Sequence, residues 1–250
     1  MMNIAAIQLL IMLLLAHLLG DFILQPTALL KKKKQVLWNA LHSLIQGALA
    51  YLLLASWNEW LVPVLVTVSH FLIDLGKQRL KRNSLAIFLI DQLLHLTIIA
   101  LVTWLLLIPK GVSIWWFTFL PPVAVKVAAC IAVIILLLPV GGIMIGLFVQ
   151  PYQQQIKDHY RNEKKKPIEG LANGGKIIGW LERALIFIFV LAGQFAGIGF
   201  LVAAKSIFRF GEFKESENRK EAEYIIIGTF ASFLYAILIS LVLKWTLGSF

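Results

Sequence analysis

The stretch IAAIQLLIMLLLAHLLGDFIL, residues 4–24, decides the fold. Apart from Gln8, His17 and Asp21 it offers nothing polar for a soluble surface. Its length matches the roughly 20 residues that one crossing of a bilayer needs. No Lys or Arg precedes it and no small-residue cleavage site ends it, so it is expected to be a retained span and not a signal peptide.

Similar runs follow at 37–56, 60–76, 85–108, 121–149, 177–204 and 224–247. They are unbroken, without the alternation of barrel strands, so the spans are helical. Composition agrees. The chain is 60% hydrophobic and 14% charged, with a mean hydropathy of +0.84, against about 45–50% and about 25% in soluble domains. A soluble globular protein and a disordered chain are excluded. The lone Cys130 inside an apolar run excludes a disulfide scaffold. The expected fold is all-α: a polytopic transmembrane helical bundle of about seven spans. A four-helix membrane half over 1–110 precedes a second membrane half over 121–250.

Loop charge predicts orientation. Lys31, Lys32, Lys33 and Lys34 fill the loop 25–36, and Lys77, Arg79, Lys81 and Arg82 the loop 77–84. The loop 150–176 carries Lys157, Arg161, Lys164, Lys165, Lys166 and Lys176, whereas Lys110 is the single basic residue of 57–59 and 109–120. Basic loops face the cytoplasm, so the net charge of +10 reflects topology and nucleic acid is not an expected partner. One stretch conflicts. A single crossing by 177–204 would put Lys205, Arg209, Lys214, Arg219 and Lys220 outside. Either a hairpin turns at Gly193-Gln194, giving eight segments, or Gly193, Gly197 and Ala204 form a packing face on one long helix. Pro139 should kink the fifth run, and Gly142-x3-Gly146 would admit a close helix neighbour.

The chemistry lies in ionisable residues placed inside apolar runs. His17 and Asp21, His42, His70 and Asp74, and Asp91 and His95 all fall in the first four spans. An aspartate at the bilayer centre costs about 2.5–3.5 kcal/mol by insertion scales. Seven such groups require mutual pairing, a water-filled cavity or a metal. Two pairs read H-x3-D and one D-x3-H, so each presents an imidazole and a carboxylate on one helix face. Gln46 lies one turn above His42. In antiparallel neighbours all seven share one depth, near the cytoplasmic end. Imidazole and carboxylate on facing helices suit a divalent ion, zinc or manganese before magnesium. A proton or ion pathway, and structural His–Asp pairs without chemistry, remain open. Lys31, Lys34, Lys77 and Arg79 ring the mouth, as an anionic-headgroup collar or as lipid anchors. In the second half, Glu182 and Arg183 are consecutive and point to different faces, and Glu223 favours the start of the last span. Trp57, Trp60, Trp104, Trp115 and Trp116 mark outer boundaries as an aromatic belt.

The motifs His17-x3-Asp21-Phe22-x2-Gln25, His42, His70-Phe-Leu-Ile-Asp74 and Asp91-Gln92-x2-His95 resemble the signature of a bacterial integral membrane family of unknown function. The stretches 173–183, 198–210 and 223–229 are similar to longer members of it. More loosely, the His/Asp clustering is similar to membrane-bound metal-dependent hydrolases of the YdjM type. The resemblance implies a bacterial inner (plasma) membrane protein.

Three functions are compatible with these residues. The first is an intramembrane metal-dependent hydrolase of a lipid or lipid-linked phosphate or ester near the cytoplasmic face. His17, Asp21, His70, Asp74, Asp91 and His95 would be its ligands, and His42 the catalytic base or a further ligand. The others are a proton- or divalent-ion-coupled transporter or channel, and a non-catalytic scaffold. The expected partner is membrane lipid, with a homo-oligomer left open.

Overall fold

A computed structural model of the chain describes residues 4–25, 36–80, 83–116, 123–162, 171, 173–210 and 219–248. Those residues are helical with short connections, and the chain is an all-α, polytopic membrane protein. Among the described residues, six helical stretches are long and apolar enough to cross a membrane: 5–23, 36–54, 61–78, 85–107, 123–162 and 220–248. The chain divides into two compact units, 1–135 and 136–249.

In the first unit, α1 (Ile4–Leu18) runs into a π-helical turn, Leu19–Ile23. Helix α2 (Val36–Leu54) and α3 (Leu61–Gln78) form a tight pair. Gly47 permits it, since a Cβ there would lie 2.6 Å from the Pro63 carbonyl oxygen. Helix α4 (Leu85–Val102) starts on Ser84, whose side chain accepts from the Ile87 amide at 3.3 Å, an N-cap. It ends in a second π-helical turn, Thr103–Leu107. Helix α5 (Val123–Ile135) packs on α1. The apolar faces of α1, including Leu9, Leu13 and Leu18, are buried, whereas α3 and α4 expose Leu72, Ile90 and Leu93. Exposed leucine on a spanning helix is what a lipid contact requires. At one end Trp57, Trp60, Trp104 and Trp115 are exposed, and Lys110 pairs with Glu59 at 2.6 Å.

The second unit opens on the π-helical turn Leu136–Val140, which holds Pro139. Helix α6 (Gly141–Asn162) follows, then α7 (Gly174–Leu191), α8 (Phe195–Phe210) and α9 (Arg219–Gly248). The reading of 150–176 as a loop is corrected, because helix continues through Gln150 to Asn162. The last helix also starts earlier than residue 224, so Glu223 lies inside it while Glu221 occupies its first turn.

Gly193 breaks the sixth run. It adopts a left-handed φ of +73°, the conformation glycine tolerates best. Lys205 then forms an ion pair with Glu182 at 2.7 Å. In one straight helix, at 1.5 Å per residue, those 23 positions would lie about 35 Å apart. So α8 folds back along α7 as a hairpin, and Lys205 returns to the side on which α7 begins. Gly197 lies against the Phe189 ring, 3.0 Å from where its Cβ would be. The small residues thus pack within the hairpin and not along one helix.

Candidate metal centre

Helices α1 to α4 each contribute to one buried polar centre. The π-helical turn carries Asp21, and such turns often re-aim side chains at functional positions. Gly20 beside it leaves room for the Gln46 amide, which donates to Asp21 Oδ1 at 2.7 Å. The inner face of α2 is polar and buried through Asn39, His42, Ser43 and Gln46. Asn39 donates to the Phe71 carbonyl at 3.2 Å and so fixes α2 on α3 below His42.

All seven His and Asp side chains lie together. His17, His42, His70, Asp74, Asp91 and His95 are each no more than 5% exposed, and Asp21 is 12% exposed. The His70 and His95 rings stack at 4.1 Å, and His42 meets His70 edge-on at 4.9 Å. The i, i+4 partners are not hydrogen-bonded to each other. His17–Asp21 is 3.8 Å, His70–Asp74 3.6 Å and His95–Asp91 3.8 Å. The short contacts run between helices. His42 Nε2 is 3.0 Å from Asp21 Oδ1, His70 Nε2 is 3.3 Å from the same oxygen, and the two nitrogens are 3.1 Å apart. The motif pairs therefore present their atoms to a common centre.

Among the described residues, three groups of donor atoms lie close enough to hold a metal ion: His17, His70 and His95; Asp21, His42 and His70; and Asp74, Asp91 and His95. Ligands of one tetrahedral or octahedral divalent ion, bound at about 2.0–2.2 Å, stand about 3.0–3.6 Å apart. The Asp21–His42–His70 triangle has those edges. Protons could bridge its atoms only pairwise, whereas an ion bridges all three. Asp91 Oδ1 and His95 Nε2 are buried without a hydrogen-bond partner, a costly state for a polar atom unless a ligand serves it. A cavity large enough for a water molecule is lined by His17, Gln46, Ser69, His70 and His95 together with apolar residues such as Leu13 and Ile99.

The basic residues expected at the mouth divide. Lys77 pairs with Asp91 Oδ2 at 2.6 Å, so it is part of the cluster's own network, while Arg79 is exposed just after α3. Lys31 and Lys34 lie outside the described residues.

In the second unit Arg183 is 3% exposed. A π-helical turn with a proline loosens the helical ladder. Arg183 takes up the freed carbonyls, donating through Nε to Leu137 at 2.5 Å and through Nη2 to Leu138 at 3.3 Å. Tyr235 donates to Leu136 at 2.8 Å, and Arg183 Nη1 to Ser232 Oγ at 3.0 Å. Gly141 and Gly179 keep space for the guanidinium, with Cβ positions 3.2 and 3.1 Å from it. Gly142 also lies beside Arg183, but nothing stands within 4 Å of a Cβ at Gly146. The expected Gly142–Gly146 helix contact is thus an arginine berth.

Fold and site together define a polytopic helical membrane protein with buried His/Asp clusters able to coordinate a metal. The model of a family described as Protein of unknown function (DUF3307) matches residues 9–119. That match runs from within α1 past the end of α4 and includes every cluster residue, while 173–183, 198–210 and 223–229 lie beyond it. No curated protein and no solved structure matches the chain, so the looser similarity to YdjM-type hydrolases gains no support.

Proposed function

We propose that the chain is an intramembrane metal-dependent hydrolase acting on an amphiphile whose phosphate or ester lies near the cytoplasmic face of a bacterial inner membrane. The observation that carries this reading is the donor triangle of Asp21, His42 and His70, with Asp91 Oδ1 and His95 Nε2 left without partners beside it. Zinc or manganese suits this mixed imidazole and carboxylate set. The bound ion would lower the pKa of a water and polarise the ester oxygen.

The chain's own groups divide the remaining work. His42, expected as the catalytic base or a further ligand, is better suited to holding the ion, since its Nε2 is one corner of the triangle. His17 is the better proton acceptor. It borders the water-sized cavity, and Gln92 Oε1, 3.3 Å from its Nε2, would accept from an Nε2–H, which leaves Nδ1 to take the proton. In hydrolysis the water oxygen bonds to phosphorus or the acyl carbon, its proton passes to His17, and the ester bond breaks. The departing alcohol oxygen takes that proton from His17, which returns to its starting form. Arg79, with Lys31 and Lys34, would attract an anionic headgroup.

The test is hydrolysis of a lipid phosphate and ester panel in mixed micelles, with metal analysis of the same detergent-purified protein lacking a His tag. Metal-dependent turnover that His70→Ala abolishes is expected. A fully metal-loaded protein that turns over no member of the panel would refute the hydrolase reading.

A further inference from the structure

We propose that the cluster is a two-ion centre selective for a phosphate group; this rests on the metal-dependent reading above. Seven donor side chains are more than one zinc or manganese ion can take from a protein while keeping a position for substrate. Two of the close groups share no residue: Asp21, His42 and His70, on the π-helical turn after α1, on α2 and on α3, and Asp74, Asp91 and His95 on α3 and α4. Each is a three-ligand set that leaves positions open.

The second group is shaped for a ligand of its own. Asp91 Oδ2 is held by Lys77 at 2.6 Å and by the Gln92 amide at 3.1 Å, which turns Oδ1 inward. Across from it stands His95 Nε2, 3.8 Å away and equally without a hydrogen-bond partner. That is too long for a hydrogen bond but within the span of about 4.2 Å open to two donors each about 2.1 Å from one ion. Asp74 links the groups. Its Oδ2 is 3.6 Å from His70 Nε2 and 3.9 Å from His42 Nε2, while the same residue belongs to the second triad. A carboxylate has two oxygens, and one placed between two triads can serve both.

Charge then selects the substrate class. The carboxylates of Asp21, Asp74 and Asp91, offset by the Lys77 ammonium, leave a net of two negative charges when the imidazoles are neutral. One divalent ion brings the centre to neutrality. Two make it positive, and in a site this buried a positive centre calls for an anion. Two-ion centres with ions about 3.5–4 Å apart clamp the oxygens of a phosphoryl group. A phosphate ester is therefore preferred over a neutral carboxylic ester.

The experiment loads the detergent-purified full chain with Mn²⁺, counts bound ions by mass spectrometry and records the electron paramagnetic resonance spectrum. Expected are two ions per chain with a spin-coupled multiline signal, and one ion with an uncoupled six-line signal in His95→Ala and in the milder His95→Gln. Inorganic phosphate should bind the loaded wild type at least tenfold more tightly than either variant. One ion in the wild type, or a second ion indifferent to both variants, overturns the two-ion centre while leaving a metal site standing. Equal phosphate affinity in wild type and variants overturns the anion selectivity. No ion in the wild type defeats the underlying metal reading instead.

Discussion

Replacing Gly20 with alanine puts a methyl group where the Gln46 amide now lies, 2.5 Å from its Cδ and 2.7 Å from its Oε1. Gln46 is 1% exposed and borders the water-sized cavity. The side chain must rotate away, and the 2.7 Å hydrogen bond to Asp21 Oδ1 is lost. A hydrogen bond to a charged group is worth about 1.5–3 kcal/mol. Losing a partner that orients a metal ligand typically weakens metal affinity about 10–100-fold, which converts to about 1.4–2.7 kcal/mol. Gly20→Ala should therefore reduce metal affinity by that factor. Gln46→Ala should cause a similar loss, because it removes the same bond without the clash. The double variant should be little worse than either alone, since the methyl no longer meets anything that matters. Competition with a metal-chelating dye, on protein shown by thermal melting to be folded, reads all four affinities. Additive losses would refute the coupling, and an unchanged Gly20→Ala affinity would show that Gln46 does not position Asp21.

Other perturbations separate the roles of neighbouring residues. Arg183→Met should destabilise the protein by about 2–4 kcal/mol in detergent unfolding, because two carbonyls and the Ser232 hydroxyl lose a charged donor and the gain from not burying a charge offsets only part of it. Metal affinity should stay unchanged, and equal stability of variant and wild type would remove Arg183 from its berth. Asp74→Asn and His70→Ala should each lower metal content with the melting profile of the metal-free protein preserved; unaltered content would return the cluster to a structural role. Single cysteines at Leu171 and Ser206, in a Cys130→Ser background, should be labelled by an impermeant reagent from the same side of the membrane, and labelling from opposite sides would contradict the α7–α8 hairpin. Lys33→Cys and Lys165→Cys should be unreactive from outside intact cells if the basic loops are cytoplasmic.

Much of this molecule was legible because a bilayer leaves the backbone few choices. Long apolar runs must be helices, and ionisable residues within them need partners, so periodicity alone led from His17 to His95. The basic residues from Lys205 onward conflicted with a single crossing and raised a turn at Gly193 as one of two readings, which the left-handed Gly193 and the Lys205–Glu182 pair decide. What escaped the sequence depended on neighbours far along the chain. The i, i+4 spacing placed His70 and Asp74 on one face but could not say that both look past each other to other helices. Lys77 was read with the outer collar, although it lies three residues after Asp74 on the same face, a signal that could have turned it toward Asp91. Asn39, three residues before His42, was missed for want of the same step. The π-helical turns at Leu19–Ile23 and Leu136–Val140 have no local pattern that fixes them. Pro139 signalled a break at the second, and the carbonyls of that turn are those that Arg183 and Tyr235 satisfy.

The most direct measurement is the metal content of the full-length protein purified in detergent without a His tag or added chelator, then reloaded with Mn²⁺ or Zn²⁺. The cluster geometry predicts tightly held divalent metal, two ions per chain when saturated, that Asp74→Asn sharply reduces. A folded wild-type protein that retains no metal under saturating conditions would contradict the central claim.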